Sequence, residues 1–252
     1  MSKDYNTLIY SDIYHNKVIK LIDTIECSQK EKIKDAATLI KNSIEKGGVL
    51  HTFATGHSHI IVEEMFYRTG GLVPVNPIFD PATMLHEGAL KSTRIERLSG
   101  YAEAIFESVE VKEGEPILII SNSGINLVPV EMAALARRKN MSVIVITSVD
   151  ISSKLTSRHK SGKKLMDLAD IVIDNCVKES DAAVELNTGQ CVGALSSIAG
   201  IYIAERLVVE VATLFVKENK TPPIFKSANV EGGDEFNKNL VELYKNRIKG
   251  LI

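Results

Sequence analysis

Two short loops carry the residues of this chain best suited to chemistry. One is Gly56-His57-Ser58-His59; the other is Ser121-Asn122-Ser123-Gly124-Ile125-Asn126. Each follows an apolar run and precedes a stretch with helical spacing. A strand that ends in small hydroxyl- and amide-bearing residues at the start of a helix makes an anion cradle. Backbone N–H groups and hydroxyls converge there, and the helix dipole favours negative charge. Other readings of the first loop fail on spacing. A nucleophile elbow, G-x-S-x-G, needs a second Gly where Ile60 stands. A dinucleotide fingerprint needs three glycines where the loop has one, and Asp80, at the distance of the expected acid, is explained as the start of a helix. No P-loop lysine motif is present. His57 and His59 lie two apart, a separation at which helical side chains do not face one another. With His51 and His86 they make no H-E-x-x-H spacing, so neither a metal nor another cofactor is expected.

The elements that must position these loops follow from periodicity. Residues 117–120, Ile-Leu-Ile-Ile, read as a strand buried on both faces. Val128, Met132, Leu135 and Ala136 form the stripe of the helix that follows. Residues 49–54 and 142–147 are further buried-strand runs, 168–174 supplies a last strand, and 72–78, with two prolines, suits a sheet edge. Before the first strand, residues 10–46 look helical throughout, with a mixed pattern and then a clearer stripe of Ile33, Ala36, Ala37, Ile40 and Ile44, closed by Gly47-Gly48. Asp80-Pro81 reads as an N-cap and first helical position, with helical stretches over 82–91 and 94–107. A long helix over 192–216 is apolar nearly all round, which predicts deep burial, and a charged helix over about 235–249 closes the chain. Strands alternating with helices imply right-handed βαβ units. The expected fold is α/β: a doubly wound parallel five-stranded sheet with helical additions at both termini. We read one domain over 1–252, with an N-terminal arm over 1–46, a core over 47–220 and a C-terminal extension over 221–252.

Composition narrows the class. Of 252 residues, 44% are hydrophobic and 25% charged, the balance of a globular protein. A net charge of −2 offers no general basic surface for nucleic acid or an acidic membrane. No apolar run reaches the roughly 18 residues that would cross a bilayer, and the polar start has no signal-peptide core. A cytoplasmic location is therefore expected. Cys27, Cys176 and Cys191 read as reduced thiols serving as small core residues. The run Lys154, Arg158, His159, Lys160, Lys163 and Lys164 reads as a solvated face.

Phe53-Ala54-Thr55-Gly56-His57-Ser58, followed by Ser121-Asn122-Ser123-Gly124-Ile125-Asn126, resembles the SIS (sugar isomerase) domain, with a flavodoxin-like strand order. The likeness spans about residues 30–215, and the whole chain looks most like uncharacterised single-SIS bacterial proteins. Phosphoheptose isomerase and N-acetylmuramic acid 6-phosphate etherase are distant relatives. The resemblance implies that a sugar phosphate sits beyond the carboxyl ends of the strands. Carried over, Ser121, Asn122, Ser123 and Gly124 hold the phosphate and Ser58 lines the same pocket. Asn126 stands where the family often has Ser or Thr. Gly56, Thr147, Ser148 and Ser153 are candidate further substrate contacts, with a solvated loop the alternative reading of the last three. An isomerase or lyase-type etherase needs a base and an acid. Glu87, in the segment where the relatives carry a functional Glu, is the expected base, and His86 or His57 the acid. Phosphoheptose isomerase also carries a His on its last helix, and residues 192–216 here contain none. A phosphosugar sensor without chemistry is the other reading. In related proteins a neighbouring subunit completes the pocket, so a homodimer or homotetramer is expected.

Overall fold

The computed structural model describes residues 10–252; the polar start, residues 1–5, lies outside the described residues. Five strands make the central sheet: β1 Leu50–Ala54, β2 Val75–Pro77, β3 Pro116–Ile120, β4 Ser142–Thr147 and β5 Ile171–Asp174. They run in the order β2-β1-β3-β4-β5, and every pairing is parallel. β1 and β3 are buried at every position. Burial on both faces is why they read as unbroken apolar runs instead of alternating ones. The pleat sends Leu118, Ile120, Ile144 and Ile146 to one layer and Ile117, Ile119, Val143 and Val145 to the other.

The helices, in chain order, are α1 Tyr10–Glu45, α2 His59–Met65, α3 Ala89–Ile95, α4 Tyr101–Glu107, α5 Leu127–Arg138, α6 Val149–Lys154, α7 Ser196–Lys217 and α8 Gly233–Tyr244. α1 is continuous over 36 residues. Its stripe of Leu21, Ile25, Ile33, Ala36, Ile40 and Ile44 packs with α2 and α7 against one face of the sheet. α4 and α5 cover the other. The doubly wound five-stranded architecture with helices at both ends is as expected from the sequence.

Several local expectations are corrected. No helix starts at Asp80-Pro81: residues 80–88 form turns, and the Asp80 carboxylate accepts the Thr83 N–H at 3.0 Å. The Thr83 carbonyl, which a helix would need, instead accepts the Gly56 N–H at 2.8 Å and the Ser92 hydroxyl at 2.7 Å. Tertiary bonds thus outcompete the local signal, and helix resumes only at α3. The long apolar helix begins at Ser196, because Cys191–Ala194 (β7) pairs antiparallel with Ala182–Glu185 (β6) in a separate hairpin. Nor is α7 buried all round: Val209 and Val216 are 56% and 62% exposed. The three cysteines are free, but Cys27 and Cys191 are exposed instead of core. The last strand shortens to β5 because Leu165–Leu168 forms a 3-10 turn, and the closing helix ends at Tyr244. No helix among the described residues is long and apolar enough to cross a membrane.

The C-terminal extension is tied to the sheet by a buried carboxylate. Glu115, just before β3, accepts from the Lys112 N–H at 2.8 Å, from His51 Nε2 at 3.0 Å and from Arg247 Nη2 at 2.9 and 3.0 Å. Asn76 Nδ2 lies 3.1 Å from His51 Nδ1. The pattern suits the Nε2–H tautomer of His51, with the amide donating to Nδ1. This network lies near the amino ends of β1 and β3, away from the loops that carry the chemistry.

Candidate functional site

Reversal of strand order between β1 and β3 opens a crevice beyond their carboxyl ends, the place where sheets of this kind bind ligands. A cavity of about 280 Å³ lies there. Its floor is apolar, from Ile61 on α2, Ile120 at the end of β3 and Ile146 on β4. Polar groups surround it: His57 and Ser58 after β1, Asn122 after β3, Asn175 after β5, Asp181, and Ser196 and Ser197 at the start of α7. A larger cavity of about 600 Å³ runs between Asn76–Asp80, α4 and the segment after α8. It includes neither chemistry-bearing loop, so we place the candidate site in the smaller one.

Both loops need a left-handed backbone. Gly56 has φ +59° and Gly124 φ +62°. At Gly124 a Cβ would also stand 3.2 Å from Thr147 Oγ1 and 3.3 Å from Ser152 Oγ, so the position admits only glycine without a shift. The loop after β3 is held from within: the Ser121 hydroxyl accepts the Gly124 N–H at 3.2 Å. From below, the buried Thr147 hydroxyl donates to the Asn122 carbonyl at 3.2 Å. Asn175 Nδ2 donates to Asn122 Oδ1 at 2.8 Å, which orients the Asn122 amide in the cavity wall.

The expected site residues therefore separate by position. His57, Ser58 and Asn122 line the cavity; Gly56 belongs to the same turn as His57 and Ser58, and Ser123 is half-buried in the loop beyond Asn122. The Ser148 hydroxyl is committed to structure, accepting the Ile151 N–H at 3.0 Å as a helix cap and donating to the Val177 carbonyl at 2.6 Å. Ser153 is exposed and donates to the Asp150 carbonyl at 2.8 Å. Asn126 Oδ1 accepts from the Arg158 guanidinium, and the Arg158 N–H reaches the Ile125 carbonyl at 3.0 Å. The basic segment thus docks on the phosphate-loop candidate at this point and is not solvated throughout.

Glu87 is exposed and pairs with Lys91 at 2.5 Å, one turn along. His86, also exposed, meets His59 edge to face with ring centroids 5.2 Å apart. Neither lines the cavity. Another carboxylate lies nearer the first loop: Glu96 Oε2 accepts the Thr55 hydroxyl at 2.9 Å. Asp181 does line the cavity, but it is occupied in capping α7, accepting from the Leu195 and Ser196 N–H groups at 3.1 and 2.7 Å and from the Ser196 hydroxyl at 2.8 Å. Sequence reading missed Asn175, Asp181, Ser196, Ser197 and Glu96. The available signal was that Asn175 directly follows a buried strand.

Residues 13–148 match the family model of the SIS domain. The chain is 43% identical over 243 residues to a UPF0309 protein of Thermoanaerobacter pseudethanolicus, covering 94% of this chain and 98% of the relative. It is 41% identical over 236 residues to a UPF0309 protein of Listeria innocua, covering 93% and 96%. Among solved structures, a phosphoheptose isomerase from Francisella tularensis superposes with a TM-score of 0.52 at 17% identity, covering 82% of this chain and 98% of that one. The Vibrio vulnificus NanR protein complexed with ManNAc-6P superposes with a TM-score of 0.51 at 12% identity, covering 94% and 70%. At such identities the superpositions speak for a shared fold.

Proposed function

This chain belongs to the SIS domain family, and from that premise we propose that its β1/β3 crevice binds a phosphorylated sugar and carries out an isomerase or lyase-type reaction on it. The observation that carries the reading is that Ser58, from the loop after β1, and Asn122, from the loop after β3 that continues into Ser123-Gly124, line one crevice at the strand-order reversal. In this reading Ser121 shapes the phosphate loop, Ser123 and the loop N–H groups hold the phosphate, and Ser58 and Asn122 contact the sugar. Isomerisation or elimination then requires a base at a sugar carbon and an acid for the oxygen that gains charge. His57, on the cavity wall, serves as acid. For the base, the candidates are Glu87, inferred from the family, and Glu96, favoured by its bond to Thr55 beside the first loop.

A sensor that binds without chemistry is the second reading. It is favoured by the cavity wall itself, where the one carboxylate among the lining residues, Asp181, is engaged in capping α7. Incubating the protein with candidate sugar phosphates in deuterated water separates the two. For an enzyme we expect solvent deuterium at the carbon next to the carbonyl, lost by roughly 10²-fold or more in Glu96→Gln or Glu87→Gln, the scale of a general base. Binding with no deuterium uptake overturns the enzymatic reading and leaves the sensor.

A further inference from the structure

We infer that the larger cavity, between β2, α4 and the C-terminal extension, is a second ligand site for a small carboxylic acid with an apolar body. It forms where residues 245–252 fold back on the edge strand of the sheet. Its volume of about 600 Å³ lies within the roughly 300–1,000 Å³ of small-molecule sites. Ile78, Phe79, Ile105 and Val109 give it an apolar wall, the lining that such sites use to hold the body of a ligand.

Arg247, on the opposite wall, sets the charge of that ligand. Its side chain is 12% exposed, and Nη2 is spent on the Glu115 carboxylate at 2.9 and 3.0 Å. Nε and Nη1 are buried and donate to nothing among the described residues. A guanidinium cannot shed these protons, so buried donors left unpaired cost stability. Nε lies 3.3 Å from Glu110 Oε1, outside hydrogen-bonding geometry. Glu110 is 63% exposed, and a carboxylate that makes no bond there is readily displaced. The carboxylate of a ligand in the cavity takes its place and accepts from Nε in a charge-assisted bond. Asp80, the other carboxylate on the wall, is engaged by the Thr83 N–H at 3.0 Å and the Tyr101 hydroxyl at 3.3 Å. Lys245 is paired with Glu242 at 2.6 Å, and Lys249 adds a further positive charge to the wall. With Glu115 offsetting Arg247, the balance favours a monoanion over a phosphate dianion.

The cavity includes neither chemistry-bearing loop, so the site stands or falls apart from the sugar reading. The test is calorimetric titration of the full-length protein with benzoate, phenylacetate and 4-methylvalerate. Each is paired with its neutral amide, and inorganic phosphate is titrated alongside. At least one acid should bind at one site per chain, roughly tenfold or more tighter than its amide or phosphate, the scale of one charge-assisted hydrogen bond. Glu110→Ala removes the group that covers Nε and should tighten acid binding roughly tenfold on the same scale. Ala104 is exposed on α4 and lines the cavity, so Ala104→Trp fills it from the surface and should abolish binding. Both variants alter exposed positions, and their ligand-free melting temperatures should match the parent. Binding by none of the acids, equal affinity for an acid and its amide or phosphate, or affinity unchanged in both variants overturns the site.

Discussion

Ser123→Asp is expected to abolish sugar-phosphate binding while leaving the fold in place. Ser123 lies in the loop between β3 and α5, half-buried and next to the left-handed Gly124. On the reading above, its hydroxyl and the neighbouring N–H groups meet the phosphate. A carboxylate there meets a dianion at close range. Two like charges 4 Å apart at an effective dielectric of 20 repel by about 4 kcal/mol, about a thousandfold in affinity. The wild-type protein at about a hundred times its Kd should gain about 2.7 kcal/mol of stability from ligand. For a chain of this size that is a rise in melting temperature of roughly 5–11 °C. The variant should show no rise, and its ligand-free stability should lie within about 0.5 kcal/mol of wild type, as for a loop position outside the core. Retained affinity in a folded Ser123→Asp protein would contradict the assignment of the phosphate to this loop.

Glu115→Ala is expected to cost about 3–5 kcal/mol of folding stability, because it strands Arg247 and His51 without their shared acceptor. Set against the 5–15 kcal/mol by which domains are usually stable, that loss is large. The carboxyl itself carries a pH signature. Burial alone would raise its pKa, but hydrogen bonds from His51, the Lys112 N–H and Arg247 outweigh it and hold the group at about 2. A carboxylate depressed from 4.5 in the unfolded chain to about 2 when folded stabilises the protein fully above pH 4.5. That contribution, about 3 kcal/mol, is lost as pH falls from 4.5 towards 2. Denaturant titrations at pH 7 and pH 3 should therefore differ by less in Glu115→Ala than in wild type. Equal acid sensitivity of the two proteins would show that other groups govern acid unfolding.

The sheet was legible because its central strands are buried on both faces. Residues 117–120 and 143–146 are unbroken Ile, Leu and Val, and no pattern of exposed positions interrupts them. The two loops were legible because strand, Gly or Ser, and helix follow one another directly in sequence. What escaped was made by contacts between distant segments. The β6–β7 hairpin has four residues a side and a mixed pattern, and it is gripped from far along the chain: Tyr14 donates to the Ala194 carbonyl at 2.7 Å. Asn175, Asp181 and Ser196 reach the crevice only because the segment after β5 and the start of α7 return to it. Glu115 looks like part of a polar turn between Gly114 and Pro116, and only the return of Arg247 explains its burial. Along the chain His57 and His59, two residues apart, diverge. The partners of His59 are Glu63, four residues on, and His86, brought over by a turn that local propensity had assigned to a helix.

The most direct measurement is a calorimetric titration of the wild-type protein with a panel of hexose and N-acetylhexosamine 6-phosphates, each paired with its unphosphorylated sugar. If the crevice is a sugar-phosphate clamp, at least one phosphorylated member binds at one site per chain. Its unphosphorylated partner should bind roughly 100-fold more weakly or worse, since two charge-assisted hydrogen bonds of about 1.5 kcal/mol or more are forgone. Equal affinity for a sugar and its phosphate, or no binding by any phosphorylated member, would contradict the account.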